Sequence, residues 1–505
     1  MGSSPASPIL SSEKALSVAD LFFKYPQYGG MVNSPLFRGL DLSLAQGKIT
    51  LIMGSPESGK TTLSRILTGL IPRFTGGELS GKLALGRKSL TSLMPYELLE
   101  EIGLVFQNSE EQLFTTRCDS EIAFALESLA VAREKIGERV LGALEWLGLS
   151  PYEQGNPRNL SGGEKKKLLL ACLFALNPAI WLLDETLDEI DSESKLKVLQ
   201  YLRRSRKTAL ILSSKWLELY REFVDIFYLL SEGRLYPAGE GKPEPGFWQK
   251  LEEQGMLLTE KSSGSSVRAP VPLSGEREST PLIQVRELKF SYQANSGQSR
   301  GFALTIPDFS VYKGEIVALA GRNGSGKSTL ARVLCGLLAP QSGEILIAKE
   351  RNQRPAAVAE LKSFTGYLFQ NPDSQIFLST VHEELAYGLK HQGRPKPAGK
   401  EIDKRVNRAI ELFNLPAADL PPAIMSYGTR KRLQAAVYYL LERSLLIIDE
   451  GDSGISFRDY LNIVRLLGST AKGMIIITHN QELARLLAHR IIYLEAGRIL
   501  PGSEE

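Results

Sequence analysis

Short apolar runs alternate with helical patterns along this chain of 505 residues. The runs at residues 49–53, 316–320 and 474–478 consist mainly of aliphatic and β-branched residues and are followed by helical patterns. Such continuous apolar runs predict buried parallel strands, because a strand covered on both faces has no polar side. Residues 133–149 and 402–415 carry an apolar stripe at helical spacing and predict a helical subdomain beside each sheet. The pattern predicts an α/β fold.

The same series of motifs occurs twice. Lys60 and Lys327 lie 267 residues apart, and Asp184 and Asp449 lie 265 apart. An offset of this length indicates two copies of a whole domain, which we predict over residues 15–240 and 282–505.

The segments outside the two copies differ in composition. Residues 1–14 are rich in Ser and Pro and predict a disordered arm, with no basic and apolar pattern of a signal peptide. Residues 241–281 are rich in Gly, Pro and Ser and predict a flexible linker, most flexible at 261–266. Within this linker, residues 247–258 predict a short helix that docks locally.

Composition and charge exclude several classes of protein. The chain is 43% hydrophobic and 23% charged, and its net charge of +3 is too small to imply a nucleic-acid partner. Cys118, Cys172 and Cys335 have no CxxC spacing, which favours core packing over a metal or disulfide framework. The most membrane-like stretch, residues 168–183, is shorter than the ~20 residues of a span and is interrupted by Asn177 and Pro178. It predicts a helix end, a turn and a buried strand, so any membrane role would come through a partner.

Two segments match the pattern G-x-x-x-x-G-K-[ST] of phosphate-binding loops, each after an apolar strand and before a helix. Backbone N–H groups of such a loop hold phosphates, the lysine reaches the β- and γ-phosphates, and the last hydroxyl binds Mg²⁺. A glycine-rich turn with a surface lysine is the alternative, which two matches at the repeat offset make negligible. The predicted nucleotide-binding residues are Gly54, Ser58, Gly59, Lys60, Thr61 and Thr62 in the first copy, and Gly321, Asn323, Gly324, Ser325, Gly326, Lys327, Ser328 and Thr329 in the second.

Each copy also has an apolar strand that ends in two carboxylates. These are Asp184 and Glu185 in the first copy and Asp449 and Glu450 in the second. The first acid suits a Mg²⁺ shell, and the second suits orienting or deprotonating an attacking water. Alone, such a strand end is more often a solvated terminus, but the phosphate-binding loops favour the catalytic interpretation.

A serine and glycine motif before a long helix makes a family resemblance specific. With this motif, Ser161 to Glu164, both copies resemble the nucleotide-binding domains of ATP-binding cassette (ABC) transporters. The resemblance implies two P-loop ATPase domains, each with a mainly parallel sheet core, an antiparallel β part and a helical subdomain, and it implies ATP and Mg²⁺ as ligands. It covers both copies and leaves only the arm and the linker outside.

In that family the motif presents its serine and a helix N-terminus to the γ-phosphate held by the other domain. Capping of the helix by Ser161 is compatible with this role. The corresponding residues here are Ser161, Gly162, Gly163 and Glu164 in the first copy, and Ser426 and Gly428 in the second.

Further roles follow from the same resemblance. Tyr25 and Tyr292 match the aromatic residue that stacks on adenine, with a core or edge tyrosine as the alternative. Gln107 and Gln370 match the glutamines that sense the γ-phosphate and Mg²⁺ and face the membrane partner. The implied metal ligands are Thr61, Gln107, Asp184, Ser328, Gln370 and Asp449. The implied catalytic residues are Glu450, His479, Gln370, Glu185 and Gln107.

The stretch from Leu368 to Phe377, which contains Gln370, also resembles the corresponding loop of energy-coupling factor and cobalt/nickel importer ATPases. This resemblance implies a transmembrane coupling subunit and a small substrate-binding membrane protein as partners, and a location at the cytoplasmic face of the membrane.

The departures from the family pattern fall in one site. ABC domains pair head to tail. Site one would therefore combine the Lys60 loop with the serine motif of the second copy, and site two would combine the Lys327 loop with the serine motif of the first. Site one has Pro56, Glu57, Ser214, Tyr427 and Ser456, whereas the opposite copy has Asn323, Gly324, His479, Gly162 and Asp191. Pro56 removes an N–H and Glu57 adds a charge beside the phosphates, and Ser214 lacks the imidazole of histidine. The distribution favours functional asymmetry, with drift under relaxed constraint as the alternative.

These observations predict a tandem ABC ATPase that powers import of a small nutrient, a vitamin or a transition-metal ion, through separate membrane subunits. A fused sugar-importer ATPase is one alternative, although there the weakened phosphate loop is expected in the second copy. A soluble ABC protein that acts on ribosomes or DNA is the other, although a charged helical linker or a basic patch would then be expected.

Overall fold

The computed structural model describes residues 14–26, 34–258, 273, 280–292, 302–322, 324–349, 352–391 and 398–500. These residues form two compact units, one ending at Leu257 and the other beginning at Leu258. Most of the predicted arm, Asn323, and residues 259–272 and 274–279 of the predicted linker lie outside the described residues.

The strands of the first unit form two sheets. One is antiparallel with the order β2-β1-β4-β5, and the other has the order β10-β9-β3-β8-β7-β6 and is parallel except between β9 and β10. The strands are β1 (Lys14–Lys24), β2 (Phe37–Ala45), β3 (Ile49–Gly54), β4 (Glu78–Leu85), β5 (Lys88–Ser89), β6 (Ile102–Val105), β7 (Ile180–Asp184), β8 (Thr208–Ser213), β9 (Ile226–Ser231) and β10 (Arg234–Glu240).

The helices of the first unit include a separate helical subdomain. They are α1 (Lys60–Leu67), α2 (Pro95–Glu101), α3 (Cys118–Ser128), α4 (Arg133–Trp146), α5 (Gly162–Leu176), α6 (Ser192–Arg204), α7 (Leu219–Phe223) and α8 (Pro245–Glu253). Helices α3, α4 and α5 share a buried core that includes Cys118, Ile122, Leu144 and Leu168. This core confirms the helical subdomain that the apolar stripe predicted. Asn177 ends α5 in the left-handed conformation, at φ 57°, and β7 follows, so the apolar stretch is a helix end, a turn and a buried strand as predicted.

The second unit repeats this architecture. Its sheets have the orders β12-β11-β14-β15 and β16-β17-β18-β13-β19-β20, and in the latter all neighbours except β19 and β20 are parallel. The strands are β11 (Pro281–Ser291), β12 (Ala303–Tyr312), β13 (Ile316–Ala320), β14 (Ser342–Lys349), β15 (Asn352–Pro355), β16 (Thr365–Leu368), β17 (Leu445–Asp449), β18 (Gly473–Ile477), β19 (Arg490–Glu495) and β20 (Arg498–Ile499). The helices are α9 (Lys327–Leu334), α10 (Val358–Phe364), α11 (Val381–His391), α12 (Gly399–Leu412), α13 (Tyr427–Leu441), α14 (Phe457–Gly468) and α15 (Gln481–Leu487).

Two aromatic clusters strengthen the first unit. Trp146 of α4 stacks on Phe174 of α5 with ring centres 4.3 Å apart, and its edge faces Trp181 of β7. The second cluster joins Trp216 to Phe247 and Trp248 of α8. Helix α8 therefore packs on the first unit, although it lies inside the segment predicted as linker. Among the described residues, no helix is long and apolar enough to cross a membrane.

Candidate functional site

The parallel strands bring the predicted site residues to one edge of each large sheet. In the first unit, β3, β8, β7 and β6 are neighbours, with Met53 paired to Ser213 and Asp184 paired to Leu212. Segments that follow the carboxyl ends of adjacent parallel strands lie close together. The phosphate-binding loop, Gln107, Glu185 and Ser214 follow these four strands. The second unit has the same arrangement, with His479 in the place of Ser214.

Each phosphate-binding loop folds around its lysine. Lys60 Nζ donates hydrogen bonds to the carbonyl oxygens of Gly54 at 2.8 Å and Ser55 at 2.9 Å. Lys327 Nζ makes the equivalent bonds to Gly321 and Arg322 at 2.8 and 3.0 Å. Helices α1 and α9 then begin at these lysines, so both lysines lie where helix N-terminal N–H groups also point.

Buried polar atoms around the loops lack partners among the described residues. They are Ser58 Oγ, Ser325 Oγ and Asp184 Oδ1. A buried hydroxyl or carboxylate oxygen without a partner destabilises the fold unless a ligand satisfies it. A phosphate would satisfy the two serines, and Mg²⁺ would satisfy Asp184, so the residues present fit both groups.

The two acids of the first unit have different surroundings. Asp184 is fully buried, and this burial, together with the charge of Glu185, raises the pKa of Asp184 to about 6. Glu185 accepts a hydrogen bond from Gln107 Nε2 at 2.7 Å, and its other oxygen lies 3.3 Å from Lys60 Nζ. Gln107 in turn accepts a 3.5 Å hydrogen bond from Thr61. The predicted metal ligands Thr61, Gln107 and Asp184 therefore surround one small region.

The second unit adds an imidazole to this arrangement. His479 Nε2 lies 3.0 Å from one oxygen of Glu450, and Gln370 Nε2 donates to the other at 2.5 Å. Asp449 accepts a 2.5 Å hydrogen bond from the hydroxyl of Tyr367, and burial raises the pKa of Asp449. A carboxylate held on both oxygens is well oriented to position a water.

Both glutamates have the left-handed backbone conformation, with φ of 49° for Glu185 and 45° for Glu450. The N–H of Glu185 bonds to Leu212 O and that of Glu450 to Ile477 O, each at 2.9 Å. Non-glycine residues persist in this conformation only where their surroundings enforce it, as is common at functional sites.

Three of the departures assigned to site one have structural counterparts. Glu57 has φ 68° at the position where Gly324 has φ 74°, so the glutamate carries a strain that glycine avoids. The Ser214 hydroxyl is buried and has no hydrogen-bond partner among the described residues. Ser456 caps α14 by accepting from the N–H of Asp459, just as Asp191 caps α6. The exchange of Asp for Ser therefore preserves the helix cap.

The serine motifs open helices in both units. Ser161 and Glu164 form a capping box at the start of α5, and Ser426 caps α13 through the N–H of Thr429. Gly162 and Gly163 lie in the first turn of α5, and Gly428 lies in the first turn of α13. Ser161 was predicted as a helix cap, and the structure confirms it.

The predicted adenine-stacking tyrosines are exposed. Tyr25 is 38% exposed, and its hydroxyl lies 2.8 Å from Thr62 Oγ1. Tyr292 is 43% exposed and lies 3.4 Å from Thr329 Oγ1. Each ring also meets a neighbouring phenylalanine edge to face. Both rings are thus accessible beside the phosphate-binding loops, and the adenine role stays a prediction.

Sequence reasoning missed several buried partners of these residues. Lys166 Nζ bonds to the carbonyl oxygens of Phe106 and Gln107, and Lys431 Nζ bonds to that of Glu450 at 2.9 Å. Both lysines lie five positions after a motif serine, a regularity that could have identified them. The hydroxyl of Tyr427 donates to Gln370 O at 3.0 Å, for which the sequence holds no signal.

A strand, a phosphate-binding loop, a helix and an acid pair at the end of a neighbouring strand define a P-loop nucleoside triphosphatase, present here in two copies. The family model described as ABC transporter matches residues 37–188 and 304–453. The chain therefore belongs to the ABC transporter family as a tandem ABC ATPase, and it is an ATP hydrolase.

Relatives extend this similarity over nearly the whole chain. A protein of Methanosarcina acetivorans named "Putative ABC transporter ATP-binding protein" is 33% identical over 91% of this chain and 81% of its own length. A protein of Treponema denticola with the same name is 30% identical over 96% of each chain. Among solved structures, cbiO1 from Clostridium perfringens, described as part of the ABC transporter complex cbiONQ, matches with 23% identity and a TM-score of 0.39. That match covers 47% of this chain and 92% of cbiO1.

Proposed function

We propose that ATP hydrolysis by this chain powers import of a small nutrient, a vitamin or a transition-metal ion, through separate membrane subunits. In this proposal the two copies pair head to tail, and site two, which contains Glu450, performs nearly all of the hydrolysis. Site one binds ATP and holds the pair closed.

The proposed asymmetry rests on one observation: the side chains of Glu185 and Glu450 have different partners. Glu450 has His479 on one oxygen and Gln370 on the other, so an imidazole and an amide orient its carboxylate. Glu185 has Gln107 and the ammonium of Lys60. The ion pair with Glu185 occupies the ammonium of Lys60, the group that would bind phosphate.

The residues of site two have distinct roles in this proposal. Lys327 and the loop N–H groups bind the phosphates, and Glu450 orients the attacking water and takes its proton. His479 holds Glu450 and donates toward the phosphate. Bound Mg²⁺ supplies charge neutralisation at the phosphates, and Ser328, Gln370 and Asp449 would hold it.

Exposed aromatic pairs support docking of membrane subunits. Phe114 and Phe124 meet edge to face with centres 4.7 Å apart, and Phe377 and Tyr387, at the equivalent positions, do the same at 5.2 Å. All four are exposed, between 43% and 64%. Each pair follows the loop that contains Gln107 or Gln370 in its own unit, here called the glutamine loop. Exposed apolar groups repeated at equivalent places are typical of a protein interface. The chain then lies at the cytoplasmic face of the membrane as a peripheral subunit.

The nutrient class rests on the resemblance of the loop after Gln370 to those of energy-coupling factor and cobalt/nickel importer ATPases. Its partners would be a transmembrane coupling subunit and a small substrate-binding membrane protein.

The test of site asymmetry compares matched variants in the full-length chain with its co-purifying subunits. Glu450→Gln should abolish steady-state ATPase, His479→Ala should lower it about a hundredfold, and Glu185→Gln should leave most of it. Comparable losses from Glu185→Gln and Glu450→Gln would refute the asymmetry. Purification after detergent extraction tests the transport function, and recovery of ribosomes or nucleic acid without a membrane protein would refute it.

A further inference from the structure

Tyr427, the first residue of α13, forms a hydrogen bond to the loop of its own unit that contains Gln370. Its hydroxyl donates a 3.0 Å hydrogen bond to the main-chain oxygen of Gln370, which lies in the loop after β16. The first copy has Gly162 at the equivalent position and cannot form this bond. From the sequence, Tyr427 counts only as bulk in the serine motif of site one.

Gln370 links this hydrogen bond to Glu450. Its main-chain oxygen accepts from Tyr427, and its side-chain Nε2 donates to Glu450 Oε2 at 2.5 Å. Tyr427 therefore fixes the backbone from which the glutamine side chain reaches the glutamate.

Lys166 and Lys431 occupy equivalent positions on α5 and α13 but have different hydrogen-bond partners. In the first unit, Lys166 Nζ bonds to the carbonyl oxygens of Phe106 and Gln107. In the second, Lys431 Nζ bonds to the carbonyl oxygens of Glu450 at 2.9 Å and Gly451 at 3.3 Å. The tyrosine hydroxyl thus takes the place of the lysine at the glutamine carbonyl.

Lys431 also stabilises Glu450, whose backbone is strained. Lys431 is buried, and its ammonium lies 5.6 Å from the centre of the Tyr427 ring, within the range of a cation–π contact. Its charge-assisted bond to the carbonyl of Glu450 restrains a backbone at φ 45°. The hydrogen bond to Gln370 and the contact with Lys431 therefore both connect Tyr427 to Glu450.

We propose that Tyr427 is a positioning residue for hydrolysis at the phosphate-binding loop of its own copy, acting on Glu450 through Gln370 and Lys431. The proposal rests on the proposed function of Glu450. One side chain then has opposite effects at the two sites: it adds bulk to the serine motif of site one and orients the water-activating group of site two.

The test removes only the hydroxyl. In a full-length Glu185→Gln background, where the remaining turnover belongs to site two, Tyr427→Phe should lower kcat about tenfold and change the KM for ATP less than about twofold. Tyr439→Phe is the matched control, because Tyr439 lies on the same helix with its ring packed against Phe413. This control should keep wild-type kcat.

A double-mutant cycle separates positioning from a general loss of stability. If Tyr427 acts through Gln370, Tyr427→Phe should cost little further activity in a Gln370→Ala chain. Additive losses would overturn this route, and so would a rise in KM proportional to the fall in kcat.

Tyr427→Gly, which reproduces the residue of the first copy, tests the opposite hypothesis. If Tyr427 matters only as bulk at site one, Tyr427→Phe will be silent. In a chain that keeps Glu185, Tyr427→Gly will then raise activity, and the proposal is wrong. Glu450→Gln is assayed in parallel. A silent Tyr427→Phe beside an inactive Glu450→Gln refutes only the role of Tyr427, whereas an active Glu450→Gln refutes the proposed function.

Discussion

Glu185 Oε1 lies 3.3 Å from the ammonium of Lys60, and both side chains are almost completely buried. In the second copy, the corresponding glutamate oxygen lies 3.0 Å from His479. Ser214 occupies the position of His479 in the first copy. Its side chain is too short to reach this carboxylate or a phosphate as a histidine would. The same glutamate oxygen therefore contacts a lysine in the first copy and a histidine in the second.

Ser214→His should raise hydrolysis at site one. In a Glu450→Gln background, where site two is silent, we expect at least about a fivefold gain in steady-state ATPase, because an imidazole restores a phosphate-facing donor. Ser214→Ala is the control and should give no gain. An unchanged rate in a Ser214→His protein that unfolds at the wild-type temperature would contradict the prediction. The unfolding temperature matters because the site is fully buried and extra volume can destabilise it.

Two substitutions of Glu57 separate strain from charge. Glu57→Gly should stabilise the first domain by up to about 1 kcal/mol, since glycine adopts φ near 68° without strain. Glu57→Gln keeps the strain and removes the charge, so it should tighten ATP binding at site one without this gain in stability. Calorimetry measures the first effect and equilibrium nucleotide binding the second. Equal unfolding temperatures for Glu57→Gly and Glu57→Gln would argue against backbone strain.

The exposed aromatic pairs should be required for assembly and not for ATP binding. Phe114→Ser combined with Phe377→Ser should remove most of the membrane protein that co-purifies with the chain, because both apolar surfaces are lost. Nucleotide binding should stay at the wild-type level. Leu141→Ser is the matched control, as Leu141 is also exposed, at 55%, but lies on α4. Equal recovery of membrane protein with the double variant and with the control would place the interface elsewhere.

Asp188 should make the stability of the first domain depend on pH. Burial, with a further effect from the charge of Glu185, raises the pKa of Asp188 to about 7, against an ordinary value near 4. Between these values the native state binds more protons than the unfolded state, so the contribution of Asp188 to stability falls as pH rises from about 4 to about 7. Asp188→Asn should flatten this part of the profile. Denaturant unfolding of both proteins at pH 5 and pH 8 measures the difference, and parallel profiles would exclude Asp188 as its source.

The fold was predictable because its signals are local and repeated. The apolar runs became β3, β13 and β18, and the segment predicted as a helix from residue 133 became α4, which ends at Trp146 instead of Leu149. Gly148, two residues beyond Trp146, has the left-handed conformation at φ 70°, which commonly ends a helix and explains the early end of α4. Helix α8 was predicted, but its packing against Trp216 depends on contacts between distant segments, which a local pattern does not encode.

The site was predictable only as far as residue types indicate roles. Lys60, Glu450 and His479 occur in recognisable patterns at strand ends, so their convergence follows from the parallel sheet. The hydrogen bond from Tyr427 to Gln370 joins two loops whose distance depends on tertiary packing. A substitution that removes a family residue is visible in the sequence, whereas the new contact that it creates is visible only in the structure.

All four tryptophans of the chain, Trp146, Trp181, Trp216 and Trp248, lie in the first unit. Two of them belong to the aromatic cluster that joins α4 and α5 to β7, the strand that ends at Asp184. Indole fluorescence excited at the red edge of protein absorption therefore originates in the copy that has Ser214 in the place of His479. The unlabelled, full-length chain thus contains an optical reporter for that copy alone.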